Sequence, residues 1–368
     1  MRHSLDVFRL IIDVESPVFI GNGSEISKKE YLQLRGGQLA ILDIEKLYMY
    51  LKKRHMEDAF EAFMLKKEKE SLEQWFYNMH LKTEDVKDCF KYIVKSDSVS
   101  LQKGTPQQIF PFVKDPYGKP YVPGSSVKGM LRTILLGADI IQNSEKYACE
   151  ARYFEKNLKE SHPRNRKLLN QDILKIEAMR FRYLNRSENS RDAVHDALSG
   201  CVISDSDPLD IKDLVVCQRI EKHVDGKERR LNVLRECLKP GTHICCSMTL
   251  DRSLCQLKPD EVKNAVAIFG KRYYDDYMRK FPSKIAYAKD RVFLGGGCGF
   301  VSKTIVYPMF PGMKGVRVTQ EIFEKKGVPR KHMHDRDLEY GVSPHILKCT
   351  SLQKQLMPMG ACRLRLEN

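Results

Sequence analysis

Residues 121–133 read YVPGSSVKGMLRT, and they mark the abrupt start of a helix. Pro123-Gly124 turns the chain out of an extended segment, and Ser125 or Ser126 offers a hydroxyl to cap the helix that follows. Apolar residues then recur at offsets 0, 3, 4, 7 and 8, which is the spacing of one helical face: Val127, Met130, Leu131, Ile134 and Leu135. Gly137 can end the helix. The stretch therefore predicts an amphipathic helix from about Ser126 to Gly137.

The start of this helix favours binding of an anion. The N–H groups of a first turn lack partners within the helix, and the macrodipole adds partial positive charge there. Lys128 and Arg132, four residues apart, place two cations on one side. A phosphodiester held against Gly124, Ser125 and Ser126 fits this arrangement. The alternative is a capped helix with solvated basic residues. A Walker A loop is excluded, because its Gly-Lys-Ser/Thr is absent.

A second loop has the composition of a ligand-contacting segment. Residues 294–300 read LGGGCGF and are followed by Ser302, Lys303 and Thr304. Gly295, Gly296 and Gly297 permit a close approach of the backbone to a ligand or to another chain, and Lys303 could then meet a phosphate. No strand–turn–helix unit with a downstream acidic residue surrounds the loop, so a dinucleotide fingerprint is excluded.

Outside these two segments, the pattern predicts strands near both ends of the chain. Val7 to Val14 is the first, and Val18 to Ile20 ends at Gly21-Asn22-Gly23. A hairpin is predicted from Tyr31–Leu34 and Gln38–Leu42. Further predicted strands are Leu214–Ile220, Thr242–Leu250 and Ala361–Leu366. Strands at both ends with helices between them, and no βαβα repetition, predict the α+β class.

Two segments are predicted to be mainly helical. Between Asp43 and Val94, apolar residues recur at helical spacing around Trp75 with no Pro or Gly among them, which predicts two or three packed amphipathic helices. Trp75 is interpreted as a core residue rather than a base-stacking platform. Lys258 to Phe281 predicts one long helix, opened by Pro259 and Asp260.

The segment 152–191 is basic, with 11 Lys or Arg against 5 Asp or Glu. Aromatic residues are interleaved with the charges: Tyr153, Phe154, Phe181 and Tyr183. The sequence leaves two interpretations open. One is a solvated, partly mobile insertion, and the other is a surface that contacts RNA.

The composition indicates a folded protein, and its basic excess is compatible with a polyanionic partner. The 368 residues carry a formal net charge of +15, with 42% hydrophobic and 30% charged residues. This excludes a disordered or collagen-like chain. No apolar run approaches the ~20 residues of a membrane span. Asp6, Arg9 and Asp13 interrupt the N-terminal apolar residues, so no signal peptide is predicted. We expect a cytoplasmic protein without a membrane partner, and the charge makes nucleic acid a plausible ligand.

Cysteine and histidine spacing predicts neither a metal site nor a cofactor. The 11 cysteines contain no CxxC pair, and Cys245 and Cys246 lie in an apolar run, so buried reduced thiols are expected. The other metal candidates are His332, His334 and Asp335, with His345 as a further ligand. They lie in a polar stretch beside Gly and Pro, which favours a solvated loop.

Taken together, the two glycine-containing motifs resemble those of the RAMP superfamily of CRISPR proteins. The motifs are Pro-Gly-Ser-Ser-x-Lys-Gly-x-Leu-Arg at 123–132 and Phe-Leu-Gly-Gly-Gly-x-Gly-Phe at 293–300. The strand that ends at Gly21-Asn22-Gly23 and the run Ser204-Asp205-Ser206 occur in the order of that family. Within the superfamily, the chain most resembles the Csm subunit that caps one end of the type III-A effector complex.

The resemblance implies a ferredoxin-like (RRM-like) core with an antiparallel sheet and insertions. It implies a subunit that holds the 3′ part of the crRNA, caps the filament formed by the backbone RAMP subunits, and takes part in crRNA 3′-end maturation for antiviral defence. The partners would be crRNA, the other Csm subunits and, through the complex, target RNA. Gly124 to Arg132 should contact the RNA backbone beside Gly295, Gly296 and Gly297, with Gly21, Asn22 and Gly23 as weaker candidates.

On this basis we expect one elaborated domain over 1–368. Its core would combine residues 1–42, 96–150, 196–250 and 282–368. A helical insertion would occupy 43–95, a basic insertion 151–195, and a helix 251–281.

The sequence leaves two other functions open. In the RAMP branch that processes CRISPR RNA, a metal-independent endoribonuclease uses a general base near the 2′-hydroxyl. The histidines that could supply such a base, His3, His55, His195 and His223, are scattered along the sequence. No catalytic residue is assigned, because Asp6 and Asp13 belong to a strand and Glu25 is not the expected residue type. The other function is a scaffold whose basic surface meets acidic partner proteins.

Overall fold

The computed structural model describes residues 5–66, 70–96, 108–163, 169–187, 193–282 and 285–367. Within these ranges the chain forms two sheets. The strands are β1 Leu5–Val14, β2 Tyr31–Leu34, β3 Gln38–Leu42, β4 Phe90–Ser96, β5 Gln108–Phe110, β6 Cys201–Ile203, β7 Leu214–His223, β8 Glu228–Leu238, β9 His243–Asp251, β10 Arg291–Phe293, β11 Ile346–Leu352, β12 Gln355–Pro358 and β13 Ala361–Glu367.

Helices of four to 19 residues connect and cover the strands. They are α1 Ile44–Lys52, α2 Glu57–Leu65, α3 Leu72–Asn78, α4 Gly124–Gln142, α5 Ala148–Glu160, α6 Asn170–Phe181, α7 Pro259–Asp276, α8 Val306–Met309, α9 Met313–Lys325 and α10 Asp337–Tyr340. Among the described residues, every helix is too short or too polar to cross a membrane.

The first sheet is ferredoxin-like, as predicted. Its order is β10-β13-β1-β9-β6, and every pair is antiparallel. Along the chain, β1, α4, β6, β9, α7 and β13 follow the βαββαβ plan, with the spatial strand order 4-1-3-2 and β10 added at one edge. Leu10, Ile12 and Val14 of β1 are buried, because alternate residues of the strand face the core. The predicted α+β class is therefore confirmed.

The second sheet contains the predicted hairpin and the predicted strand β7, together with five strands that we did not predict: β4, β5, β8, β11 and β12. Its order is β12-β11-β7-β4-β3-β2, with β8 pairing with β7 and β5. The predicted strands Tyr31–Leu34 and Gln38–Leu42 are confirmed. The unpredicted strand β8 carries Glu236, which is fully buried. Its carboxylate accepts hydrogen bonds from the Tyr92 hydroxyl (2.6 Å) and Phe112 N (3.0 Å) and pairs with Lys114 Nζ (2.5 Å). Glu236 thus ties the 112–114 segment to this sheet.

The segment 43–95 forms its own hydrophobic cluster. Trp75 is 3% exposed and packs against Phe60, Phe63 and Phe76, so its prediction as a core residue is confirmed. Helices α1, α2 and α3 supply most of this cluster. The end of the segment is different, because β4 begins at Phe90 and pairs with β3 and β7 in the second sheet.

The described part of 152–191 is packed against the protein core. Phe154 of α5 and Ile176 and Phe181 of α6 are buried in the main hydrophobic cluster. The interpretation of this segment as a solvated, partly mobile insertion is therefore wrong for α5 and α6, because both helices bury apolar side chains in the protein core. Residues 164–168 and 188–192 lie outside the described residues.

Two details predicted for α4 are wrong. The helix begins at Gly124 with Pro123 as its N-cap, and neither Ser125 nor Ser126 caps it. It also continues past Gly137 to Gln142. Gly137 faces α7, where a Cβ atom would overlap the ring of Phe269. This glycine therefore allows two helices to pack closely instead of ending one of them.

The cysteines are mostly buried, as predicted. Nine of the 11 are buried and all 11 are free thiols, with Cys149 exposed and Cys245 partly exposed. Burial raises the pKa of the Cys246 thiol to about 12, so it stays protonated at neutral pH and behaves as a small apolar side chain.

Candidate nucleic-acid interface

The glycine-rich loop lies directly on the backbone of the segment that precedes Gly21. Gly296 N donates to Phe19 O at 2.6 Å. Gly295 and Gly297 have φ of +85° and +89°, a region that side chains with a Cβ rarely adopt. A Cβ at Gly295 would overlap the Phe19 carbonyl oxygen. The glycines are therefore required for this close approach, and they bring 295–297 next to Gly21-Asn22-Gly23.

Hydrogen bonds connect this pair of loops to the start of α4. Val113 N donates to Ile20 O (2.8 Å), and Tyr121 N donates to Val113 O (3.4 Å). Gly124 N then donates to Asp205 Oδ1 at 2.8 Å. This series of hydrogen bonds runs from the glycine-rich loop through Ile20 and Val113 to Tyr121, three residues before α4 begins.

The two predicted cations of α4 have partners within the protein. Lys128 Nζ donates to Leu198 O (2.8 Å) and Cys201 O (2.7 Å). Arg132 pairs with Glu177 (2.8 Å) and Asp196 (2.7 Å). Burial opposes the charge of Arg132, but these two carboxylates still raise its pKa. In this structure both side chains fix α4 to its neighbours, and contact with a phosphate stays a prediction.

Lys303 and Arg132 line the same cavity of about 140 Å³. The cavity lies between α4, α5, α6 and α9, and Leu136, Phe154 and Ile322 supply apolar walls. Lys303 itself is exposed at the end of the glycine-rich segment. Two of the predicted site residues therefore meet at one concave surface, although 171 positions separate them along the chain (303 minus 132).

Three further cations lie at the glycine-rich loop, and they were not predicted from the sequence. We call Arg219 of β7, Arg235 of β8 and Lys348 of β11 the loop cation cluster. A Cβ at Gly297 would overlap Arg235 Nη1, and one at Gly299 would lie 3.8 Å from Lys348 Cγ. Each cation comes from a different strand. Only the pairing of those strands brings them together, and β8 was not predicted.

The loop cation cluster carries an excess of positive charge. Glu221 pairs with Arg219 (3.0 Å) and Lys348 (2.5 Å), so one carboxylate is shared by two of the three cations. Burial lowers the pKa of Arg235, whose guanidinium lies 4.9 Å above the ring of Phe19. Burial likewise lowers the pKa of Lys348, although Glu221 raises it in part. Partly desolvated cations next to a closely packed glycine backbone form a surface suited to phosphate groups.

The described histidines that could act as a ribonuclease base, His55, His195 and His223, lie in different parts of the fold. His3 lies outside the described residues, and His55 is exposed in a turn after α1. His195 is 5% exposed, with Nδ1 beside Leu184 O. His223 lies at the end of β7, where its ring is 4.7 Å from that of His345.

Comparison with known proteins identifies the family. A model described as the RAMP superfamily matches residues 11–302. The protein described as CRISPR system Cms protein Csm5 from Mycobacterium tuberculosis (strain CDC 1551 / Oshkosh) is 29% identical over 389 residues, covering 99% of this chain and 98% of that protein. The protein of the same description from Streptococcus thermophilus is 23% identical over 314 residues, covering 83% of this chain and 82% of that protein.

Solved structures agree on the fold. A chain of a Csm–crRNA–target RNA ternary complex from a type III-A CRISPR-Cas system, determined by cryo-EM, matches with a TM-score of 0.63 and 18% identity, covering 97% of this chain and all of that one. The crystal structure of Csm5 from T. onnurineus matches with a TM-score of 0.56 and 17% identity, over 96% of this chain and 99% of that one. Because the family model also spans most of the chain, this protein belongs to the RAMP superfamily.

Proposed function

We propose that this chain is the Csm5-type subunit of a type III-A CRISPR effector complex. It binds the 3′ part of the crRNA, caps the filament of backbone RAMP subunits, and takes part in crRNA 3′-end maturation. Its full-length similarity to Csm5 proteins supports this assignment. So does its fold, which matches a chain of a complex that contains crRNA and target RNA.

One observation carries the RNA-binding part of the proposal. The glycine-rich loop has close backbone packing, and the loop cation cluster lies beside it with one carboxylate shared by two of its three cations. Such a surface recognises the charged sugar–phosphate chain rather than base edges, so the guide sequence should hardly affect affinity. Target sequence would then be recognised by base pairing within the complex.

We propose further that the subunit itself does not cleave RNA. Near the glycine-rich loop, the carboxylate of Glu221 is paired with Arg219 and Lys348, so it is not free to act as a general base. Incubation of the purified chain with CRISPR precursor RNA, with and without EDTA, should leave the RNA intact. Cleavage without metal that is lost on substitution of one histidine would support the endoribonuclease alternative instead.

Assembly can be tested by co-expression with the other Csm subunits and a CRISPR array. We expect the chain to purify with the complex and with crRNA, and its omission to change the length of the bound RNA at the 3′ end. Crosslinking within the purified particle should place RNA at residues of the loop cation cluster. Crosslinks to protein only would favour the scaffold function.

We predict that the double variant Lys128→Ala/Arg132→Ala binds crRNA more weakly and with a smaller salt dependence. If each cation meets one phosphate, the slope of log affinity against log salt should fall by about 1.4, or about 0.7 per phosphate for single-stranded RNA. Binding of labelled crRNA to the full chain, measured at several salt concentrations, tests this.

The control for this variant is Lys46→Ala/Lys52→Ala, which removes two exposed cations from α1. Thermal unfolding of both variants is needed, because Lys128 and Arg132 also hold α4 to its neighbours. A folded Lys128→Ala/Arg132→Ala protein with unchanged affinity and slope would remove these residues from the interface.

A further inference from the structure

Four of the chain's ten histidines meet around one buried carboxylate, outside the glycine-containing motifs. The ring of His345 lies 4.7 Å from that of His223 and 5.0 Å from that of His334. His332 and His334 are stacked at 6.3 Å. Asp337, at the start of α10, is 0% exposed in their midst. The prediction of a solvated loop is therefore wrong for His345, because β7, β11 and α9 cover this segment.

Three side chains of this cluster present donor atoms to a common point. His334 Nδ1 lies 3.0 Å from Asp337 Oδ2, and His345 Nδ1 contacts Asp337 Oδ1. All three ligand atoms lie within 4.8 Å of one another. An ion held at 2.0–2.2 Å from each donor needs donors within about 4.4 Å of one another. The widest separation therefore exceeds that limit by up to about 0.4 Å, so a small side-chain movement must bring the donors together when an ion binds.

The charge of Asp337 is the reason to expect a cation here. Within the described part of the chain, no Lys or Arg forms an ion pair with this carboxylate, whose polar neighbours are the two imidazoles and the Ser343 hydroxyl. A buried carboxylate is costly unless it is paired, and these two imidazoles supply a counter-charge only when they are protonated. A divalent ion would neutralise it and would use the imidazole lone pairs as ligands.

We propose that His334, Asp337 and His345 bind a zinc ion. Two imidazole nitrogens with one carboxylate oxygen are a donor set that zinc accepts, whereas Mg²⁺ and Ca²⁺ prefer oxygen ligands. His223 and His332 are the nearest further imidazoles and can supply a fourth ligand. The ion would join the 330–345 segment to the start of β11, since Ile346 directly follows His345.

This site is tested on the purified full chain with zinc alone as the probe. After dialysis against EDTA and then against a small excess of ZnCl2, elemental analysis should find about one zinc per chain. The melting temperature should rise by about 5 °C when zinc is present at about 100 times its Kd.

The variant His334→Asn distinguishes metal binding from hydrogen bonding. Asparagine keeps an N–H donor near the position of Nδ1, so the hydrogen bond to Asp337 can persist, but it lacks the imidazole lone pair. Zinc content should fall at least about fivefold, and the thermal shift should disappear. His55→Asn is the matched control, because His55 is exposed and has a φ of 56°, which asparagine tolerates.

Two results would overturn the proposal. One is wild-type protein that takes up no zinc and melts at the same temperature with and without it, which is the behaviour of a hydrogen-bonded Asp–His cluster. The other is a His334→Asn variant that binds as much zinc as wild type. Should that variant fail to fold, Co²⁺ added to the wild type decides: a visible ligand-field spectrum displaced by zinc supports the site, and its absence refutes it.

Discussion

Replacement of Gly124 by alanine should lower the free energy of unfolding by about 3 kcal/mol. This is the upper end of the range that is typical when extra atoms are forced into a well-packed core. The added Cβ would overlap the carbonyl oxygens of Ile203 and Ser204, and both obstacles are backbone atoms. A backbone cannot rotate away as a side chain can, so the start of α4 or the end of β6 must shift. Urea unfolding of the full chain measures this change. The dependence of the unfolding free energy on urea concentration, m, should be the same for wild type and variant, so that the difference reflects stability alone.

The control lies five residues further along the same helix. Gly129 is exposed, and nothing lies within 4 Å of an added Cβ there. Gly129→Ala should therefore stabilise the protein by about 0.5–1 kcal/mol, through the higher helix propensity of alanine. Equal effects of the two substitutions would contradict the close contact between Gly124 and the end of β6.

The double variant Arg235→Gln/Lys348→Gln should bind crRNA at least about 100-fold more weakly than wild type. A hydrogen bond to a charged group contributes about 1.5 kcal/mol or more, and each 1.4 kcal/mol is tenfold in affinity. Both cations lie against the glycine-rich loop, where burial limits their hydration. The salt slope should also fall by about 1.4, or about 0.7 for each lost phosphate contact.

A matched double variant removes the same charge from neighbouring positions. Arg229 lies on β8, six residues before Arg235, and Lys354 lies in the turn after β11, six residues after Lys348. Both side chains are exposed. Arg229→Gln/Lys354→Gln should keep affinity within a few-fold of wild type. The single variant Arg235→Lys should recover only part of the affinity, because lysine lacks the planar fork of arginine. Identical losses in both double variants would indicate general charge attraction without a defined site.

Strands and helices could be predicted from the sequence where the residues that specify them lie close together in the chain. The hairpin of β2 and β3 was predicted with its observed bounds, because Arg35-Gly36-Gly37 separates two apolar runs. Strand β1 and the last strand β13 were likewise recognisable from their apolar alternation. The Trp75 cluster was predictable because helical periodicity places its aromatic residues on one face.

Features that depend on tertiary contacts were not predictable. The function of Gly137 is set by Phe269, and the N–H of Gly124 bonds to Asp205, so neither could be inferred from the helix alone. β8 was missed because exposed charged residues fill its first half. Arg235 was missed with it. Asp337 has no distinguishing sequence pattern, because its burial arises from packing between distant segments.

The arrangement of the first sheet has a consequence for biosynthesis. β1 is its central strand, yet one of its two neighbours is β13, with Leu10 opposite Leu366. Pairings between such distant segments are slow to form, because a long loop must close first. While the ribosome is still translating, β1 exposes an unpaired edge that can aggregate. Demand for a chaperone, or for early docking onto a partner, should therefore last until β13 has been synthesised.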